Sequence, residues 1–375
     1  MNMSAMRRRF NTAGPNDPAR HYTLPAVARI PAVRRFVEEQ LYFVVHAPRQ
    51  VGKTTAFRAL AHDLTTEGRF AALLVSLESG VPFANDVGAA EETVLDSWRA
   101  SAEARLPADL QPPPWRNAKP GNRIRVALAD WARDSQKPLV LFIDEVDSLE
   151  GPALVSILRQ LREGYADRPE SFPWSLALIG MRNVRDYKVT SDQVDRTHSA
   201  SPFNIAAEAI TLRDFSIEEV AALYNQHTIE TGQVFENAAV NRVYKWTRGQ
   251  PWLVNAVGRQ LVEVLVSDPS KSITESHVDA AKALLIERQD THLDSLAERL
   301  REPRVRKVIE PIFTGALLGD LPMDDRQFVL DLGLVGHTAD GNVEIANPIY
   351  EEIIARVLLR RALDRPLKPR GSAKP

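Results

Sequence analysis

A chain of 375 residues with 44% hydrophobic and 26% charged side chains has an ordinary globular balance and is too long for one small core, which predicts two or three domains. It contains no cysteine, which excludes disulfides, zinc–thiolate sites and thiol catalysis, and its net charge of −2 supplies no global basic field for nucleic acid. No apolar run approaches the roughly 20 residues of a membrane helix, and MNMSAMRRRF has no apolar stretch behind its charge, so a cytoplasmic protein without a signal peptide is expected.

The first stretch, 1–20, is polar and carries Gly14, Pro15 and Pro18; it reads as a flexible tail. Short apolar runs then alternate with helical patterns. LYFVVHA (41–47), AALLVSL (71–77), PLVLFID (138–144) and SLALIG (175–180) suit strands buried on both faces, and AEAITL (207–212) is a fifth candidate. Between them, Leu154, Ile157, Leu158 and Leu161 make one apolar helical stripe. Strand alternating with helix predicts an α/β domain over 21–212. PADLQPPPWRNAKPG (107–121) reads as an irregular loop.

The strand runs stop after Leu212. Ser216 and Glu219 form a capping-box pair, Gly232 suits a helix C-cap, and further helical patterns cover about 236–247, 251–266 and 274–289. An all-helical domain over 213–290 is expected. In 291–359 one helical pattern leads to DDRQFVLDLGLV, then to a hairpin signal at Asp340-Gly341, and PIYEEIIARVLLRRA closes the domain: the outline of a winged helix. The basic stretch 360–375 reads as a solvated tail.

Three stretches carry chemistry. APRQVGKTT (47–55) matches the phosphate-loop pattern G-x-x-x-x-G-K-[ST] except that Ala47 stands at the first glycine. It follows a strand run and opens a helical pattern, as the motif requires. The backbone of Pro48, Arg49, Gln50, Val51 and Gly52 would cradle phosphates, Lys53 would place a cation on the β- and γ-phosphates, Thr54 would offer a hydroxyl to Mg²⁺, and Thr55 would reach the α-phosphate. Ala47 needs only an ordinary φ, because close approach to phosphate occurs nearer Gly52. PLVLFIDEVDSL then delivers Asp144 and Glu145 to a strand end. Asp144 is placed to hold Mg²⁺ through water and Glu145 to polarise the attacking water, an ATPase pairing. SLALIGMRNVRDYK ends a third strand, where Arg182 or Asn183 could sense the γ-phosphate and Arg185 is a further candidate. Gly249-Gln250-Pro251 reads, from the residues alone, as punctuation between two helices. The histidines show no H-x-x-x-H pair, and no nucleophile elbow is present.

Together, APRQVGKTT, FIDEVDSL, GMRNVRDYK, SPFNI, TRGQPWLVNAVG and DLGLVGHTADGNVEIANPIYEEII resemble the AAA-like P-loop ATPases of the STAND and archaeal-ATPase group, over about 22–359. The resemblance implies a parallel sheet in the order 5-1-4-3-2, a helical lid with Pro251 against adenine or ribose, and a linker, HYTLPAVARIPAVRR, packed on the base. It implies ATP/ADP and Mg²⁺ as ligands and a slow ATPase that acts as a switch, ADP holding lid and winged helix closed. Sensor arrays and effector domains typical of such proteins are not recognisable, so a protein partner in trans or self-assembly would supply the output. The alternative is a DNA-handling ATPase similar to origin-recognition or transposition-helper proteins. That reading is less favoured, because the helix before the hairpin carries Asp324, Asp325 and Asp331 against one Arg326, whereas a groove-reading helix should be basic or amide-rich. With Lys53, Thr54, Asp144 and Glu145 all present, a nucleotide-dead scaffold is the weakest reading.

Overall fold

The computed structural model describes residues 7–181, 203, 205–288, 291–314, 322–338 and 340–364. Two compact units emerge: Pro25–Arg213, and the chain up to Leu24 together with the chain from Asp214 onward.

In the first unit, five parallel strands, β1 (Tyr42–His46), β2 (Ala71–Ser76), β3 (Leu139–Asp144), β4 (Ser175–Gly180) and β5 (Glu208–Thr211), lie in the order β2-β3-β4-β1-β5. This is the expected 5-1-4-3-2 order read from the other edge. The uninterrupted apolar runs are explained by burial on both faces. Alternate side chains part to opposite sides: Leu139, Leu141 and Ile143 join one core with α3 (Val87–Arg105), α4 (Arg123–Asp134) and α5 (Gly151–Gly164). Val140 and Phe142 join the other with α1 (Ala32–Glu38) and α2 (Lys53–Thr66). Each such buried side chain contributes roughly 1.5–3 kcal/mol, so the sheet resists sliding, and its strand ends stay in register. The 107–121 stretch is irregular apart from one short turn of helix at Ala108–Leu110.

The second unit contains α6 (Ile217–Thr231), α7 (Asn237–Thr247), α8 (Pro251–Arg259), α9 (Glu275–Arg288), α10 (Thr291–Arg299), α11 (Pro303–Thr314) and α12 (Met323–Asp331). A hairpin of β6 (Val335–His337) and β7 (Val343–Ile345) follows, then α13 (Pro348–Asp364). The capping box at Ser216–Glu219 is formed, and Gly232 caps α6 in the left-handed conformation. One difference from the helical pattern lies at 260–265, where α8 widens into a π-helical turn. Helix α13 runs into the stretch expected as a basic tail and ends at Asp364, with 365–375 outside the described residues.

The expected flexible tail at 1–20 is corrected by the structure. From Arg7 on, the described part of this segment packs in the second unit, with Phe10 only 1% exposed. Its ring centroid lies 4.9 Å from that of Tyr22 and 5.2 Å from that of Tyr224 of α6. His227 completes the cluster: its Nε2 lies 2.9 Å from Gln233 Oε1, an acceptor, so Nε2 carries the proton and Nδ1 accepts from Tyr22 Oη at 3.1 Å. Burial holds this imidazole below its ordinary range. Phe10 within this polar stretch, with Tyr22 just beyond it, outweighs the glycine and prolines. His21–Leu24 likewise belongs to the second unit rather than to the 21–212 domain expected. Among the described residues no helix is long and apolar enough to cross a membrane.

Gly249 is more than punctuation. It has φ +79°, and its carbonyl accepts from the Phe215 amide at 2.9 Å. A β-carbon there would stand 2.0 Å from the Phe215 carbonyl oxygen. Backbone cannot yield as a flexible side chain can. Gly249→Ala should therefore cost about 3 kcal/mol or more. Hydrogen exchange should show faster opening of α6–α8, with the amides of β1, β3 and β4 unchanged.

Candidate functional site: a phosphate loop facing an acidic strand end

Ala47 leaves β1 with 1% exposure, and its amide donates to the Gly180 carbonyl of β4 at 3.2 Å. Its φ is not positive, so the strict glycine of the motif is not needed here. The loop turns at Gln50 (φ +62°) and Gly52 (φ +94°) and enters α2 at Lys53. Pro48, Arg49, Gln50, Val51 and Gly52 thus lead into the start of α2, where the first amides of a helix have no intrahelical acceptor. Arg49 and Gln50 are exposed, whereas Val51 is a buried anchor. Lys53 Nζ spans the loop, donating to the carbonyls of Ala47 at 2.6 Å and Pro48 at 2.8 Å. Thr55 lies in the first turn of α2.

The acidic strand end meets this loop. Thr54 Oγ1 donates to Asp144 Oδ2 at 2.6 Å, and the Glu145 amide donates to Asp144 Oδ1 at 2.9 Å. Glu145 itself turns the chain with φ +55°. Burial pushes the Asp144 carboxyl above its ordinary range, opposed by these two hydrogen bonds and by Lys53. Glu145 is raised by burial and then by the charges of Asp144 and Asp147; Lys53 is lowered by burial, against the pull of the same three acids. A hydroxyl and a carboxylate in contact, amid an excess of acids, are hard oxygen donors of the kind Mg²⁺ takes, one or two from protein and the rest from phosphate and water. The residues therefore fit that ion. No cluster of three or more His, Cys, Asp or Glu side chains arranged for a metal occurs among the described residues.

Two residues at this site were not anticipated from sequence. Asp147 Oδ1 accepts from the Met181 amide at 2.7 Å, tying the turn after β3 to the end of β4. Arg29 is 7% exposed, and its guanidinium donates to the Val51 carbonyl at 2.9 Å and to the Arg213 carbonyl at 2.8 Å. It buttresses the loop from behind. Asp147 had a signal, as the third acid in DEVD. Arg29, in VARIP, had none beyond its place in the linker segment. Arg182, Asn183 and Arg185 lie outside the described residues. Pro251 begins α8 in the other unit, behind Gln250, whose side chain accepts from the Leu253 amide.

Residues 31–168 match the family model of the AAA ATPase domain. Among solved structures, the Walker-type ATPase PABY2304 of Pyrococcus abyssi is similar in fold, with a TM-score of 0.60 at 12% identity over 92% of this chain and 99% of that one. The RuvB Holliday junction branch migration motor of Thermotoga maritima matches with a TM-score of 0.45 at 15% identity, covering 87% of this chain and 92% of that one. The ORC1 protein of Aeropyrum pernix, solved in complex with DNA, matches with a TM-score of 0.44 at 13% identity, covering 91% and 95%. The last two likenesses are faint. The search of curated proteins finds no match.

Two substitutions separate the glycines of the motif. A β-carbon on Gly52 would sit 3.0 Å from Arg29 Nη2, at a φ that L-residues resist. Gly52→Ala should weaken ATP binding about tenfold or more, or about 1.4 kcal/mol. Ala47→Gly, which restores the strict motif, should leave ATP affinity within about twofold and cost up to roughly 1 kcal/mol in stability. Isothermal titration and thermal unfolding of both variants read these outcomes directly.

Proposed function

We propose that this chain, an AAA-like P-loop ATPase, is a switch module of the STAND-like kind in which the nucleotide at the loop biases the arrangement of the two units. The observation that carries the reading is Arg29. Its guanidinium links the loop carbonyl at Val51 to Arg213, the last residue before the chain enters the second unit, and it stands four residues after Pro25, where the chain first enters the core. A change in the loop thus has a short, hydrogen-bonded route to a crossing point. A ligand shifts a two-state equilibrium only through its differential affinity, and γ-phosphate is the group that differs between ATP and ADP.

The chemistry assigned to the site is hydrolysis of ATP to ADP and phosphate. Lys53 and the loop amides hold the phosphate chain. Thr54 and, through water, Asp144 would hold Mg²⁺, which would supply neutralising charge to the phosphate chain. Glu145 accepts a proton as water attacks the γ-phosphorus and the bond to the bridging β–γ oxygen breaks. Its raised proton affinity suits a base. Asp147 accepts from the Met181 amide and so fixes the end of β4 beside the acidic turn. We read the α10–α13 segment with its hairpin as a winged helix and Pro251 as a contact for the base or ribose, with a protein partner in trans or a second copy as the recipient of the switch.

DNA handling is less well supported by the second unit. Arg304 of α11, one of the basic residues that would face phosphate, is held by Asp325 Oδ1 at 2.5 Å and by the Asp324 carbonyl, and Arg299 is paired with Glu302. These pairs reduce the positive charge on offer.

Lys53→Ala should abolish ATP binding, and unchanged affinity in a titration would end the nucleotide-site assignment. Glu145→Gln should bind ATP normally and lower the rate of phosphate release at least about a hundredfold; release at the parental rate would remove Glu145 from its role. Arg29→Gln should retain measurable ATP binding but lose the ATP-against-ADP difference in hydrogen exchange near Asp214. A difference of parental size there would sink the coupling route.

A further inference from the structure

The ladder between β3 and β4 changes hands at its end. Ile143 lies beside Leu178, so a strand continued without change would set position 145 opposite Gly180. In a parallel ladder that residue would give its amide to the Ile179 carbonyl and take the Met181 amide on its own carbonyl. Glu145 does neither. The Val146 amide reaches the Ile179 carbonyl instead, at 3.1 Å, and the Met181 amide donates to Asp147 Oδ1 at 2.7 Å. Two later residues fill the two halves of one ladder step, and Glu145 is displaced from it at φ +55°. The displacement has the form of a bulge, a device that re-aims a side chain where pairing ends.

The backbone of the displaced residue is fully occupied. Its amide donates to Asp144 Oδ1 at 2.9 Å, and its carbonyl accepts from the Ser148 amide at 3.0 Å and the Ser148 hydroxyl at 2.7 Å. Val146 and Leu149 are buried and anchor the turn in the core shared with α3, α4 and α5. The Glu145 carboxylate, by contrast, makes no hydrogen bond or ion pair among the described residues, and it is half-buried. A fixed backbone thus carries a side chain that keeps its acceptors open.

A left-handed backbone is unfavourable for a glutamate, and such a conformation persists only where its surroundings hold it. Most of the restraints lie within the turn itself. Two run to β4: the Val146 amide to Ile179, and the Met181 amide to Asp147. The first is backbone on both sides. The second depends on a side chain, and Met181 is itself only 9% exposed, so its amide has little access to water as a substitute.

We propose that Asp147 is a positioning residue for hydrolysis: by accepting the Met181 amide in place of a ladder carbonyl, it holds the bulged turn that aims the Glu145 carboxylate. It acts through Glu145, and its role rests on the reading of Glu145 as the base that takes a proton from the attacking water. A general base works only within hydrogen-bond reach of that proton, about 2.6–3.2 Å. A misplacement of about 1 Å costs on the order of a hundredfold in rate. ATP affinity depends on other groups, because Lys53 and Thr54 are carried by α2 and not by this turn.

Single-turnover hydrolysis of ATP by the full chain, with isothermal titration of ATP on the same variants, tests this role. Asp147→Ala should lower the single-turnover rate about tenfold or more and leave ATP affinity within about twofold. Asp147→Asn keeps an oxygen acceptor for the Met181 amide without the charge, and should recover the rate to within about threefold of the parental chain. In a chain that already carries Glu145→Gln, adding Asp147→Ala should slow hydrolysis by no more than about twofold, because residues that act as a unit are not additive. A parental rate in Asp147→Ala, a matching loss of ATP affinity, an Asn variant as slow as the Ala variant, or a full further loss on top of Glu145→Gln would each overturn the role of Asp147. Parental hydrolysis by Glu145→Gln alone would overturn the base itself, and the positioning role with it. A slow Glu145→Gln beside an unimpaired Asp147→Ala would overturn the positioning role and leave the base standing.

Discussion

The hydrogen bond from Thr54 to Asp144 joins residues 90 positions apart and holds the site together. It forms only if the ends of β1 and β3 arrive at one edge of the sheet with β4 between them. Parallel pairing enforces this: Val44 lies beside Leu178 on one side of β4, and Leu178 lies beside Ile143 on the other. A slip of one residue in β3 would turn Asp144 toward the opposite face and leave Thr54 without its partner. The two apolar cores on the faces of the sheet are what prevent that slip. Hydrophobic packing here fixes the position of a polar contact, and the contact in turn brings the phosphate loop to the acidic strand end.

The same edge gathers charges that burial penalises. Asp144 and Glu145 are each made harder to ionise, and Lys53 is made easier to neutralise. Local donors offset part of the cost: Thr54 and the Glu145 amide for Asp144, two loop carbonyls for Lys53. An arrangement of this kind is typical of sites built for a highly charged ligand rather than for stability. It also explains the backbone. Gln50, Gly52 and Glu145 all have positive φ, and all three lie in the two turns that face each other across the site.

Most of the core was readable because its signals are local. Continuous apolar runs mark strands buried on both faces, and GKT after such a run marks a helix start. Ala47 was read correctly in its backbone, since the strand end asks for no positive φ. What could not be read depends on distant partners. Gly249 looked like ordinary punctuation until the Phe215 carbonyl appeared beside it. Arg29 sits in an apolar, proline-containing stretch, and its two acceptors are backbone carbonyls at Val51 and Arg213, which leave no mark in the spacing of side chains. Polarity misled at the N-terminus. Loop-forming residues predict an absence of regular structure, and the described part of the segment, from Arg7, indeed has almost none, yet lacking helix or strand is different from lacking a packed position.

That segment changes how the chain is organised. Phe10 and Tyr22 supply aromatic surface to a cluster whose other members, Tyr224, His227 and Phe235, come from beyond residue 213. Tyr22 also satisfies the otherwise open Nδ1 of His227, and the pair is rigid because Gln233 fixes the opposite nitrogen and is itself held by the Val266 carbonyl. The second unit is therefore completed by residues that precede the first, and the core is in effect inserted between Leu24 and Asp214. An inserted domain is tethered at both ends, so any rearrangement of its phosphate loop has two covalent routes outward rather than one. Arg29 is bonded to the chain at Arg213 and stands four residues after Pro25. The residue bonded to the loop carbonyl at Val51 is thus also bonded to the last residue before one crossing and stands four residues after the other.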